Sequence, residues 1–133
     1  MSELKLINPP GTESIYESFK FSQAVVYGNR VEVAGQVGVG PDFQIPDDIR
    51  EQARFAFTNL QGVLEAAGSS LPYVLHLTQY FTNIADVRAV DEVFIEFFPK
   101  EYPARTVVQV GALVLPNLKL EIQASAVLKD GAA

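Results

Sequence analysis

Among the charged residues of this chain, Arg105 stands apart by its setting. It stands in Pro103-Ala104-Arg105-Thr106-Val107-Val108-Gln109-Val110, a lone cation at the mouth of an apolar, strand-like run. Val107, Val108 and Val110 are expected to seek burial, whereas a guanidinium must stay solvated or paired. An unpaired charge in such a place is costly, so Arg105 is expected to meet an anion. Its planar fork suits the carboxylate of a small substrate. The chain has no cysteine, which excludes disulfides, thiolate metal sites and cysteine nucleophiles. His76 is the single histidine; it reads as a structural strand residue, and one histidine makes no histidine-rich metal site. Gly38-Val39-Gly40-Pro41 has neither the glycine spacing nor the Gly-Lys-Ser/Thr ending of a phosphate cradle, and reads as a turn.

The elements that must position Arg105 follow from periodicity. Residues 3–7 read as a short edge strand, stopped by Pro9-Pro10-Gly11, with a polar loop to about Lys20. Residues 22–27 and 30–36 read as two strands joined by the two-residue turn Gly28-Asn29. Gly35 inside the second strand suggests a bulge, a close approach by another group, or simple relief of packing. Asp48 followed by Glu51 marks a helix start, and Gly68 a helix end, so a helix is expected over 47–67. Its apolar stripe runs through Ile49, Ala53, Ala56, Phe57, Leu60, Val63, Leu64 and Ala67. Residues 73–82 read as a long strand, with Leu75, Leu77 and Phe81 on one face and Val74, His76, Thr78 and Tyr80 on the other. Asn83 or Asp86 caps a second helix whose stripe is Val87, Val90, Phe94, Phe97 and Phe98, and Pro99 ends it. These phenylalanines read as core packing. The final strand, 118–128, alternates cleanly, so Glu121 is expected to point away from the side on which Leu120 and Ile122 meet the helices.

The resulting order, β-β-β-α-β-α-β-β, implies an α+β two-layer domain, a mixed sheet with two helices on one face. At 133 residues, 48% apolar and 20% charged, the chain fits one domain over 1–133 with a working core. The uncovered sheet face, expected to carry Val107, Tyr80 and Val74, is too apolar to leave wet, which points to self-association. A net charge of −6 and the lack of any Lys/Arg cluster disfavour nucleic acid as a partner. Residues 1–10 carry no apolar core of a secretory signal, and no apolar run approaches the roughly 20 residues of a membrane span. A cytoplasmic location without membrane partners is therefore expected.

Several short stretches then fall in one order: Ser22-Gln23-Ala24-Val25, Ala34-Gly35-Gln36, Ala66-Ala67-Gly68, Phe97-Phe98, Pro103-Ala104-Arg105 and Leu120-Glu121-Ile122-Gln123-Ala124. Together they resemble the reactive-intermediate deaminases, the Rid/YjgF family, over nearly the whole chain. The resemblance implies a chorismate-mutase-like fold and a homotrimer with a central β-barrel and clefts between subunits. It also implies hydrolysis of small enamines and imines of 2-amino acids to 2-oxo acids and ammonia, with neither metal nor bound cofactor. On this basis Arg105 holds the substrate carboxylate, and Glu121 directs water or shuttles a proton. Phe21, Gly35, Asp91 and Val107 fall at substrate-contacting positions.

The chain departs from the common pattern at several of these positions. Phe21 replaces a frequent tyrosine, Thr106-Val107 a Ser-Cys pair, and Asp91 a common asparagine. Residues 111–116 are longer and more apolar than usual. These departures resemble a divergent subgroup with a greasier cleft. Alternative readings are a non-catalytic trimeric binding protein for small carboxylates and a 2-aminomuconate-type deaminase. A ribonuclease role is disfavoured by the acidic charge.

Overall fold

Alternation along the last strand sets the frame of the molecule. In the computed structural model, which describes residues 3–129, Leu120, Ile122, Ala124 and Ala126 are all buried beneath two helices. Met1, Ser2 and positions 130–133, the ends of the single domain expected over 1–133 and of the stretch read for a leader, lie outside the described residues. The elements are β1 (Lys5–Ile7), α1 (Glu13–Phe19), β2 (Ala24–Tyr27), β3 (Arg30–Val37), α2 (Ile49–Ala67), β4 (Val74–Phe81), α3 (Val87–Phe97), β5 (Ala104–Gln109) and β6 (Leu120–Val127). The sheet order is β1-β2-β3-β6-β4-β5. Only β4 and β5 run parallel; every other neighbouring pair is antiparallel. A parallel pair needs a crossover, and α3 supplies it. Among the described residues no helix is long and apolar enough to cross a membrane.

Local chemistry accounts for most of these boundaries. Gly28, at φ 62°, takes the left-handed position of the hairpin turn that pairs Tyr27 with Arg30. The Asp48 carboxylate accepts the Glu51 N–H at the start of α2, and Gly68 closes that helix at φ 90°. Asn83 accepts the Ala85 N–H and caps a short 3₁₀ turn that leads into α3. Phe57 of α2 meets Phe94 and Phe97 of α3 at ring-centroid distances of 5.9 and 5.3 Å, so the phenylalanines do pack the helix interface. Outside that core, Arg50–Glu92 (3.0 Å) and Arg54–Glu96 (2.8 Å) bridge the two helices on their exposed faces.

Three expectations are corrected. The segment before Lys20 is a helix, α1, rather than a loop; it is only seven residues long and none of them is buried, so its short apolar spacing of Ile15, Tyr16 and Phe19 is easily passed over. In β4 the register shifts between Val74 and His76, which turns Val74 into the core and leaves Leu75 exposed. The open face of the sheet is also less apolar than expected. Val107 pairs with the buried Gln79 and belongs to the helix side. The open face instead carries hydrogen-bonded polar pairs: Tyr80 to Gln123 (2.8 Å), His76 with Thr106 (2.9 Å), and Ser125 to Glu32 (2.6 Å). Of the β5 valines, Val108 is 38% exposed, since β5 is an edge strand covered on one side only.

Candidate active site

Strand register decides which way Arg105 points. It pairs with Leu77, which is buried under the helices, so Arg105 rises on the helix side of the edge strand. There its Nη1 donates to Asp91 Oδ1 of α3 at 2.7 Å. Its guanidinium carbon lies 5.6 Å from the centroid of the Phe94 ring, close enough for a cation–π contact. Tyr102 leans on the same ring at 5.9 Å. Arg105, Asp91, Phe94, Ile95, Tyr102 and Pro103 line a cleft of about 380 Å³, apolar apart from the ion pair. The anion expected for Arg105 is thus met, inside one chain, by Asp91. Val107, two residues further along the strand, shares the face of Arg105.

Glu121 stands on the other face. It pairs with Tyr80 of β4 and Val37 of β3, between the core residues Leu120 and Ile122. Its carboxylate lies over Gly35, where a Cβ would overlap it. The β3–β6 register also shifts between Val33 and Gln36, so both readings of Gly35, bulge and close approach, apply. Partial burial pushes the Glu121 carboxyl above the usual carboxylate range. Phe21, 38% exposed, precedes Gln23, whose carbonyl accepts the Ala34 N–H at 2.9 Å.

The candidate residues therefore form two half-sites. Arg105, Asp91 and Val107 belong to the β5–α3 edge. Glu121, Gly35 and Phe21 belong to β6, β3 and the approach to β2. With strands about 4.8 Å apart, β3 lies roughly 14 Å and β2 roughly 19 Å from β5. Arg105 and Glu121 moreover face opposite sides of the sheet. One chain does not bring the two groups onto one small substrate.

Sequence reasoning missed a set of amides that hold the surrounding loops, Gln52 and Gln36 buried and Asn59 half-buried. Gln52 Nε2 donates to the carbonyls of Pro46 (2.8 Å) and Asn117 (3.0 Å), while its Oε1 accepts the Lys119 N–H (2.9 Å). Asn59 donates to the carbonyls of Val37 and Val39, both at 3.0 Å, and so ties the end of β3 to α2. Gln36 donates to Gln23 Oε1 at 2.9 Å beside the bulge. A polar residue inside an otherwise apolar helical stripe was the available signal for Gln52.

The family model described as Endoribonuclease L-PSP matches residues 12–128. The chain belongs to this family. A 2-iminobutanoate/2-iminopropanoate deaminase from Dermatophagoides farinae is 37% identical over 112 residues, covering 82% of this chain and 86% of that protein. Among solved structures, a member of the YjgF/YER057c/UK114 family from Mycobacterium tuberculosis superposes with a TM-score of 0.83 at 32% identity, over 95% of this chain and all of that one. Escherichia coli TdcF, solved with bound serine, gives 0.77 at 35% identity, over 82% of this chain and 88% of that one. The α+β fold is thus that of the family. Relatives named as imine deaminases place a reactive-intermediate deaminase role at family level, beside the endoribonuclease of the family's description.

Proposed function

We propose that this chain hydrolyses small 2-imino acids to 2-oxo acids and ammonia, at sites completed between copies of itself. The observation that carries the reading is the division of the candidate residues into two half-sites on opposite sheet faces. Arg105 of one copy holds the substrate carboxylate in the β5–α3 cleft. Glu121 of a neighbour approaches the 2-carbon with a directed water. Water oxygen bonds to C2, the C–N bond breaks, and the nitrogen of the protonated imine leaves as ammonium with both protons of that water. A carboxyl raised by burial can take one of those protons from water and return it to nitrogen. Holding the carboxylate bidentately fixes the attack geometry, and orientation supplies a large part of such a rate gain. No step calls for a metal or a bound cofactor.

The two half-sites are different surfaces, so the contact between copies is heterologous. Such contacts close into rings rather than two-fold dimers, and a homotrimer is the ring this reading adopts. The test is complementation. Arg105→Ala and Glu121→Ala chains are each expected to be inactive alone. Refolded together at equal amounts, they are expected to regain about a quarter of wild-type activity toward 2-iminobutanoate, because random assembly leaves that share of interfaces with both groups intact. No recovery in mixtures that demonstrably co-assemble overturns the shared site.

The absence of a hydroxyl at Phe21 and of a polar side chain at Val107 favours the second reading, a trimeric carboxylate-binding protein. Calorimetry with 2-oxobutanoate then shows Arg105-dependent binding, while the imine assay shows no rate above buffer.

A further inference from the structure

The ion pair in the cleft uses only part of each partner. Arg105 spends Nη1 on Asp91 Oδ1, and among the described residues neither its Nε and Nη2 nor Asp91 Oδ2 has another hydrogen-bond partner. Arginine donates along two edges, so the Nε–Nη2 edge stays available for two parallel bonds to a carboxylate. Asp91, as an acceptor-only group, can still take a donor on Oδ2. Both side chains line the same cleft, and both remain partly open to solvent, at 32% for Arg105 and 42% for Asp91. The rest of that lining, Phe94, Ile95, Tyr102 and Pro103, offers mostly apolar surface.

A cation and an anion joined at 2.7 Å are a poor receptor for a simple carboxylate, because Asp91 cancels much of the attraction that Arg105 offers. They are a good receptor for a molecule that carries both charges at adjacent positions. In a 2-amino acid or a protonated 2-imino acid, one carbon separates the carboxylate from the cationic nitrogen. The carboxylate meets the free edge of Arg105, the nitrogen meets Asp91, and each charge faces its opposite.

We propose that Asp91 is a specificity-determining residue that makes the cleft select zwitterionic 2-amino and 2-imino acids over plain carboxylates. The proposal rests on Arg105 holding the carboxylate, as in the function above, and adds the partner for the nitrogen. An anion beside the nitrogen also favours the protonated imine, the form that water attacks more readily. The product 2-oxo acid has lost its positive nitrogen and is left facing Asp91 as a bare anion, which favours its release.

The test is a matched ligand series on the assembled protein, measured by calorimetry: L-2-aminobutanoate, which carries both charges, against L-2-hydroxybutanoate, which lacks the nitrogen. Wild type is expected to bind the amino acid at least tenfold more tightly. Asp91→Asn is expected to abolish that preference and to bind the hydroxy acid as well as or better than wild type, because Arg105 is no longer neutralised. Arg105→Ala is expected to lose both ligands. In turnover, Asp91→Asn is expected to raise KM for 2-iminobutanoate more than it lowers kcat. An unchanged amino-acid preference in both Asp91→Asn and Asp91→Ala overturns the assignment, and so does failure of wild type to discriminate. Turnover by wild type is read separately. A protein that discriminates through Asp91 yet shows no hydrolysis supports this inference and overturns the catalytic reading instead.

Discussion

The Glu121 carboxylate occupies the space that a side chain at position 35 would fill. Gly35 is therefore there for the acid as much as for the bulge. Gly35→Ala is expected to push the carboxylate aside. Overpacking of this kind typically costs about 1–3 kcal/mol. The expected outcome is a folded protein with a modestly lower melting temperature and at least a tenfold fall in kcat, KM being much less affected. A variant with wild-type kcat would separate Gly35 from the chemistry.

Burial raises the Glu121 carboxyl above its unfolded value, and the direction of the pH effect follows. Between the unfolded and the folded pKa, the native chain binds more protons than the unfolded one. Stability then falls as pH rises through that window, the opposite of a salt-bridged carboxylate. Glu121→Gln is expected to remove this slope and to melt at or above the wild-type temperature at neutral pH, while losing activity. If Glu121 takes the proton from water, wild-type kcat rises with pH to a plateau, with a midpoint above that of an ordinary glutamate, and Glu121→Gln shows no such rise. Chemical denaturation across pH 4 to 8, together with a pH–rate profile, measures both effects.

Arg105→Lys keeps the charge but loses the fork and much of the stacking over Phe94. Charge-assisted hydrogen bonds contribute roughly 1.5–3 kcal/mol each. A fall in kcat/KM of about 10- to 100-fold is expected for Arg105→Lys, with a larger fall for Arg105→Ala. Equal kinetics for lysine and arginine would reduce the clamp to a point charge.

Features encoded within a few residues were readable from the chain. The Gly28 turn, the Asp48 and Gly68 helix ends and the clean alternation of β6 all depend on near neighbours, and all occur where the pattern puts them. A period-two count runs straight through an extra residue, so the bulge at Leu75 and the resulting exchange of faces by Val74 stayed hidden. The face of Val107 was lost for a related reason: it depends on which residue of β4 lies opposite, and that is set by pairing at a distance. α1 is only seven residues long and buries none of them, so the brief apolar spacing of Ile15, Tyr16 and Phe19 was too short to stand out from a loop. At the candidate site, the residue types of Arg105, Asp91 and Glu121 could be picked out. The face of Glu121 followed from the alternation of β6, but that of Arg105 did not, because it depends on which residue of β4 lies opposite it.

Gln79 makes the last prediction, from inside the core. It is fully buried on the helix side between Val107 and Ile122, and among the described residues neither its amide nitrogen nor its amide oxygen has a hydrogen-bond partner. A buried polar group left unpaired costs about 1–3 kcal/mol, whereas a volume-conserving apolar replacement keeps the packing without that penalty. Gln79→Met is therefore expected to stabilise the chain by about 1–3 kcal/mol. For a domain of this size that corresponds to a rise of several degrees in Tm. The Arg105 cleft is lined by other residues, so imine turnover is expected to stay within twofold of wild type. Melting by calorimetry beside the imine assay reads both quantities. A stability that falls would mean that the amide is satisfied in solution, by a buried water or by a neighbouring copy. A loss of turnover without loss of fold would place Gln79 behind the cleft as a positioning residue.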